Sequence, residues 1–244
     1  MPNAFSATCN LPSAIFLRPI TRILALSLTL STVGGAQTFD PARLVPRSDS
    51  FAVMVQGRAV GGVRETIERT PDGYRLTSSQ GMAGMSQVTR VDFSRTLEMR
   101  AVKQTGQVRG SEMKIDVTYD KGRAKGSATT PAPQGLKSIV VDTTVPRGAV
   151  DDNLLQGLLH TLPLGEGKSF SIPVFSSGQG TTTMMTAKVV GAESVTVPAG
   201  TFDTWKVEVS GGPVAVQFWV SKAQPRVVKL GFGAAPMAFE LVKE

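Results

Sequence analysis

The sequence predicts a mainly β protein, a curved antiparallel sheet or half-barrel carrying one packed α-helix. Three observations predict it. After residue 36, glycine and proline recur about every 8 to 12 residues with apolar alternation between them, the pattern of a sandwich or barrel. The clearest run, Glu112 to Tyr119, sets Met113, Ile115, Val117 and Tyr119 against Glu112, Lys114, Asp116 and Thr118. One segment alone, Asp151 to Leu162, abandons period two for a helical spacing of leucines.

Residues 1–36 have the three parts of a secretory signal: Arg18 and Arg22 without acidic residues, an apolar run from Ile23 to Leu30, and small residues Gly34-Gly35-Ala36 before a cut. The apolar run is too short for a spanning helix, which needs about 20 residues. The sole cysteine, Cys9, lies upstream of that run, so a lipid anchor at the cut is not expected. Location in the periplasm or outside the cell follows. The exported chain lacks cysteine, so apolar burial and sheet hydrogen bonds must hold it together without disulfides. Residues 37–47 are expected to be a flexible lead, and residues 48–244 a single all-β domain. The segment is long enough to bury a core.

Along that domain the turns fall at Pro71-Asp72-Gly73, Asp120-Lys121-Gly122 and Gly211-Gly212-Pro213, where proline presets φ and glycine supplies positive φ. Connections this short join antiparallel strands. Later strands repeat the alternation: Trp205, Val207 and Val209 form one apolar set, and Val214, Val216, Phe218 and Val220 another. The segment Pro131-Ala132-Pro133-Gln134-Gly135 is expected to link two groups of hairpins. Leu154, Leu155, Leu158, Leu159 and Leu162 line one face of a helix over residues 152–162, capped by Asp151 or Asp152 and stopped by Pro163. So short a helix is marginal alone, so its leucine face must dock on the sheet.

Composition and motifs exclude several functions. The formal charge of +7 comes from charges that alternate in sign along strands, without the basic clusters and interleaved aromatics of a nucleic-acid surface. Gly165-Glu166-Gly167-Lys168-Ser169 ends like a phosphate-binding loop. It lacks the earlier glycine, which is Leu162 here, and leads into a strand. Ser111 and Lys114 have Ser-x-x-Lys spacing, but in a strand they point to opposite faces. His160, the single histidine, shares the helix side of Asn153, Gln156 and Gly157 and is expected to face solvent. A catalytic triad or histidine-rich metal site is therefore not expected, and neither is a cofactor. Eight methionines beyond Met1 suit an adaptable apolar interior.

The run Val195-Thr196-Val197-Pro198-Ala199-Gly200-Thr201-Phe202-Asp203-Thr204-Trp205 is followed by Phe218-Trp219-Val220-Ser221-Lys222 and Pro225-Arg226-Val227-Val228-Lys229. Together with Gln56-Gly57-Arg58-Ala59-Val60-Gly61, it resembles a family of exported bacterial proteins of unknown function. That family is similar in architecture to the half-barrels of the lipoprotein carriers LolA and LolB. The resemblance implies a curved sheet partly plugged by the helix.

From these observations the expected function is a non-enzymatic binding protein of the cell envelope. Its ligand is a lipid or a lipoprotein acyl chain, sheltered among Leu155, Leu158, Leu159, Met113, Val216 and Phe218. A structural adaptor acting through a sheet edge is the alternative, and a hydrolase the distant one. The protein is expected to be peripheral to a membrane at most. An apolar cavity favours the carrier, and a solid core favours the adaptor.

Overall fold

A computed structural model describes residues 39–133, 135–233 and 235–242. The export signal of residues 1–36 lies outside the described residues. Among the described residues fifteen strands form one curved, unclosed sheet. The first meander runs through β1 (Arg47–Val55), β2 (Arg58–Thr70), β3 (Gly73–Met82), β4 (Met85–Ser94), β5 (Met99–Val108), β6 (Ser111–Asp120), β7 (Arg123–Ala132) and β8 (Gly135–Thr144). After a two-residue strand β9 (Val150–Asp151) comes the helix α1 (Asp152–Leu158). The second meander follows: β10 (Ser169–Ser176), β11 (Thr181–Val197), β12 (Gly200–Ser210), β13 (Val216–Ser221), β14 (Val227–Phe232) and β15 (Met237–Val242). Strand β15 pairs antiparallel with β1 and joins the two meanders, so β8 and β9 are the two ends of the sheet. Every pairing is antiparallel except the short β9–β10 contact.

The period-two expectation holds in β6, where Met113, Ile115 and Val117 are buried and Glu112, Lys114 and Thr118 exposed. Residues Pro131 to Gly135 are not a linker between hairpin groups. Ala132 pairs with Gly135, closing the hairpin of β7 and β8, and Gly135 takes the positive φ of +115° that the reversal requires. Val214 belongs to no strand and is exposed; Gly211 at φ +93° and the adjoining Pro213 hold the chain out of the ladder until Val216.

Asp151 caps α1 as expected, its Oδ1 accepting the Asn153 N–H at 3.0 Å. The helix is shorter than residues 152–162. Its α-helical part ends at Leu158, and Leu159–Thr161 form a 3-10 turn in which the Thr161 hydroxyl donates to the Leu158 carbonyl at 2.7 Å. Pro163 forces Leu162 into extended geometry and so prevents another α turn. Leu154, Leu158, Leu159 and Leu162 are wholly buried within a core cluster drawn from both meanders. The opposite side of the helix is packed too. A Cβ at Gly157 would stand 2.7 Å from Leu76 Cδ1, so only glycine allows this approach to β3.

His160 is consequently buried, not solvent-facing. Residues 40–44 lie against the 3-10 turn, with Arg47 near the imidazole, and cover the polar side at His160. Residues 39–47 are packed, not a flexible lead. Phe39 and Leu44 enter the core, the Asp40 N–H donates to the Thr161 carbonyl at 3.2 Å, and Arg43 donates to the Leu162 carbonyl.

Leu158 sits where both meanders converge, so Leu158→Ala should cost about 3 kcal/mol, in the range for emptying a leucine site in a tight core. Urea unfolding of the two proteins measures the difference. A loss below about 1 kcal/mol would mean that the helix is not the centre of the core.

Candidate functional site

The most chemically loaded place in the molecule is a group of charges buried inside the sheet. In β1, Arg47 and Asp49 occupy the alternation positions that continue as Phe51 and Val53. In β2, Glu65 stands between Val63 and Ile67 in the same parity. Pairing of the two strands sets Asp49 directly opposite Glu65. Arg47 ties them together: its Nε donates to Asp49 Oδ2 at 2.7 Å, its Nη2 donates to the Gly157 carbonyl at 3.1 Å, and Glu65 Oε1 lies 3.7 Å from that Nη2. Arg226, just before β14, brings Nη1 to 3.4 Å from Asp49 Oδ1. The side chains of Arg47, Asp49 and Glu65 are all less than one-tenth exposed, whereas Arg226 is 31% exposed.

Several buried atoms here have no hydrogen-bond partner among the described residues: Arg47 Nη1, Asp49 Oδ1, Arg226 Nε and both ring nitrogens of His160. Each such group carries a desolvation cost of about 1–3 kcal/mol, so their convergence is unusual for a purely structural ion pair. Burial pushes the Glu65 carboxyl up to about 7, a rise that nearby Asp49 aids and Arg47 opposes. Burial and the Arg47 charge hold His160 down to about 3, so its imidazole is neutral. At neutral pH the Glu65 carboxyl facing Arg47 is therefore partly protonated.

A surface depression of about 380 Å³ opens onto this cluster, lined by Ser48, Asp49, Ser50, Ala199, Phe202, Gln224, Arg226, Leu241 and Val242. Ala199 and Phe202 come from the Val-Pro-Ala-Gly-Thr-Phe run and Arg226 from the Pro-Arg-Val-Val-Lys run. The β11–β12 hairpin places Ala199 so that its N–H donates to the Leu241 carbonyl at 3.0 Å. The turn after β13 is tied by the Ser221 N–H donating to the Arg226 carbonyl (3.0 Å) and the Gln224 N–H to Ser221 Oγ (3.1 Å). Lys222 lies over the Trp205 ring, 4.1 Å from its centroid, and its N–H donates to the Asp203 carbonyl. The motif residues thus present Arg226 and Gln224 at one edge of the depression and Phe202 and Ala199 at another.

Two other polar sites are simpler. A shallower depression of about 470 Å³ lies over the tips of β3, β4 and β5, beside a ladder in which Gln104 donates to Gln87 and Gln87 to Gln80. It has no charged lining residue. The Tyr119 hydroxyl donates to Asp151 Oδ2 at 2.7 Å, and burial together with that carboxylate pushes the phenol upward, fixing it as a donor. This bond pins the helix cap to β6.

The residues expected to hold a ligand do come together, but as packing. Leu155, Leu158, Leu159 and Phe218 belong to the main core, Val216 packs against it, and Met113 is buried. None of them lines either depression. The missed residues are Arg47, Asp49, Glu65 and Arg226. For the first three a signal existed: charged side chains in the apolar parity of an alternating strand. Arg226 had no such signal, because it lies in a turn. Among the described residues no group of three or more His, Cys, Asp or Glu is placed to hold a metal ion, and no helix is long and apolar enough to cross a membrane.

An open antiparallel half-barrel with a buried helix and a charged surface depression defines the architecture. The chain belongs to a family described as "Protein of unknown function (DUF3108)", whose model matches residues 50–239. No curated protein and no solved structure matches it.

Glu65 and His160 give opposite pH dependences. The unfolded Glu65 loses its proton near 4.5 and the folded one near 7. The folded state holds the extra proton between these values, so this contribution is lost as pH rises from about 4.5 to 7. Unfolded His160 gains its proton near 6.5 and the folded one near 3, so its contribution is lost as pH falls through that window. The slopes oppose, so these two contributions largely cancel between about pH 4.5 and 6.5. Relative to wild type, Glu65→Gln should raise the slope of stability against pH by up to about 1.4 kcal/mol per unit, and His160→Leu should lower it. Urea midpoints measured across this range test both. Parallel curves for the two variants would contradict the assignment.

Proposed function

We propose that the protein is an exported, non-enzymatic binding protein that takes the anionic head of a small amphiphile in the depression at Arg226. The observation that carries this reading is the pairing of Arg226, half-satisfied by Asp49 and with an unpartnered Nε, with the apolar wall of Phe202, Ala199 and Leu241. Arg226 is part-exposed at the depression and offers its guanidinium to an anion there. A volume of about 380 Å³ lies within the range of small-ligand sites.

The leucine-filled interior argues against an acyl chain threaded between α1 and the sheet, so a lipid or lipoprotein acyl chain lies instead along the outer apolar wall. The curved sheet plugged by a helix supports the likeness to LolA and LolB carriers as an analogy of fold. The buried His160, held far below neutrality, is poorly suited to acid–base work. The features of residues 1–36 support export, with the protein peripheral to a membrane at most. A second reading, an envelope adaptor, is favoured by the long edge at β8, free among the described residues.

The test is calorimetric titration of residues 37–244 with dodecyl phosphate, dodecanoate and inorganic phosphate. One dodecyl anion should bind per chain, and Arg226→Gln should weaken it about ten-fold or more, the effect of losing a charge-assisted contact. Inorganic phosphate should bind more weakly than dodecyl phosphate, because it leaves the apolar wall unused. Unchanged affinity in Arg226→Gln, or no binding of either dodecyl anion, would overturn the proposal.

A further inference from the structure

The hairpin of β11 and β12 reaches beyond the strands that flank it. The Val189 N–H donates to the Lys168 carbonyl at 2.8 Å, and the Asp203 carbonyl accepts the Lys222 N–H at 2.9 Å. Those bonds end the contacts with β10 and β13, which pair with residues 181–188 of β11 and 204–209 of β12. Residues 190–202 therefore form an arm that, among the described residues, has no strand on either side. At its base the register shifts between Val189 and Gly191, a bulge that bends and twists the hairpin. Among the described residues, one backbone bond ties the arm to the sheet, from the Ala199 N–H to the Leu241 carbonyl at 3.0 Å. The Trp219 indole N–H adds a side-chain bond to Glu193.

The arm covers an apolar cluster of its own. Phe51 of β1, Val63 of β2, Val228 of β14 and Leu241 of β15 are buried there, apart from the core around α1. Val195, Val197, Ala199 and Phe202 of the arm pack into the same cluster. Ala199, Phe202 and Leu241 also line the depression that contains Arg226. The joint between arm and sheet and the depression thus share an apolar wall, with the guanidinium beside it.

We infer that residues 190–202 are a hinged lid, and that the alkyl tail of the amphiphile lies between this lid and Phe51, Val63 and Val228 while its head stays at Arg226. The inference rests on the anion site proposed at Arg226. Val190 has no partner across the hairpin, and a Cβ at Gly191 would meet nothing within 4 Å, so the base of the arm has room to turn. Opening breaks the Ala199–Leu241 bond and a small set of apolar contacts, while the main core around α1 stays closed. An alkyl chain replaces those contacts with others of the same kind, so the apolar side chains stay out of water. The interior beside α1 offers no such route, because its leucines are held from both meanders.

Nuclear Overhauser contacts between dodecyl phosphate, kept below micelle formation, and the methyl groups of residues 37–244 test the inference. Val228 is wholly buried and Val63 nearly so, and neither lines the depression. Contacts from the chain methylenes to both valines are expected. Affinity should rise about three-fold per added methylene from hexyl to dodecyl phosphate. Val63→Thr keeps the shape but places a hydroxyl under the lid, so it should weaken dodecyl phosphate about five-fold and leave inorganic phosphate unchanged. Dodecyl phosphate that binds with contacts confined to Ala199, Phe202 and Leu241, or with an affinity indifferent to Val63→Thr, would overturn the lid and leave the head site standing. Failure of dodecyl phosphate to bind would overturn both.

Discussion

Burial of one short helix governs this molecule. Leu154, Leu158, Leu159 and Leu162 must leave water, and α1 is too short to stand alone, so the sheet has to wrap it. The helix also lies between the two meanders in sequence. Docking it therefore draws β9 and β10 beneath the face of β5 and β6, and the long sheet curls without closing. Gly157 permits the close approach to β3, and Asp151 links the helix cap to Tyr119. A chain that has no disulfide after residue 36 thus concentrates its stability in a single convergence of both meanders.

The same curl creates the charged site. Arg47 donates to the Gly157 carbonyl at the last turn of α1, where the helix presents partial negative charge, and also holds Asp49. Once Arg47 is committed to the helix, Asp49 has one oxygen left for Arg226. The ion group lies beside two apolar clusters, one around the helix and one containing Phe51, Val53, Val63, Val228 and Leu241. A buried network of this kind is costly compared with an apolar packing of equal volume. Its opening to the surface at Arg226 sets it apart from a sealed ion pair.

Much of the fold was legible because its physics is local. Period-two alternation in β6 and β12, the glycine and proline turns, and the Asp151 cap depend on neighbours in the chain. The limits were equally physical. His160 is polar-sided by helical periodicity yet buried, since periodicity describes one helix face and not that residues 40–44 lie over the other. Val214 continues an apolar alternation but falls outside the ladder because Pro213 adjoins it. The run Pro131 to Gly135 looks like a spacer by composition and works as a hairpin turn. For the site, Arg47, Asp49 and Glu65 stood in apolar parity and were visible in principle, whereas Arg226 reaches them across more than 150 residues of chain.

From its residues alone this chain is a mostly β protein with one amphipathic helix, lacking cysteine beyond residue 36 and lacking the usual constellations of catalysis. Those properties follow from composition and short-range spacing, which every residue shares with its immediate neighbours. The pairing of β15 with β1, the filling of the helix–sheet gap and the depression at Arg226 arise from long-range contacts. Strand order and the direction of curl depend on which distant surfaces match in shape and charge, and no local period encodes that match.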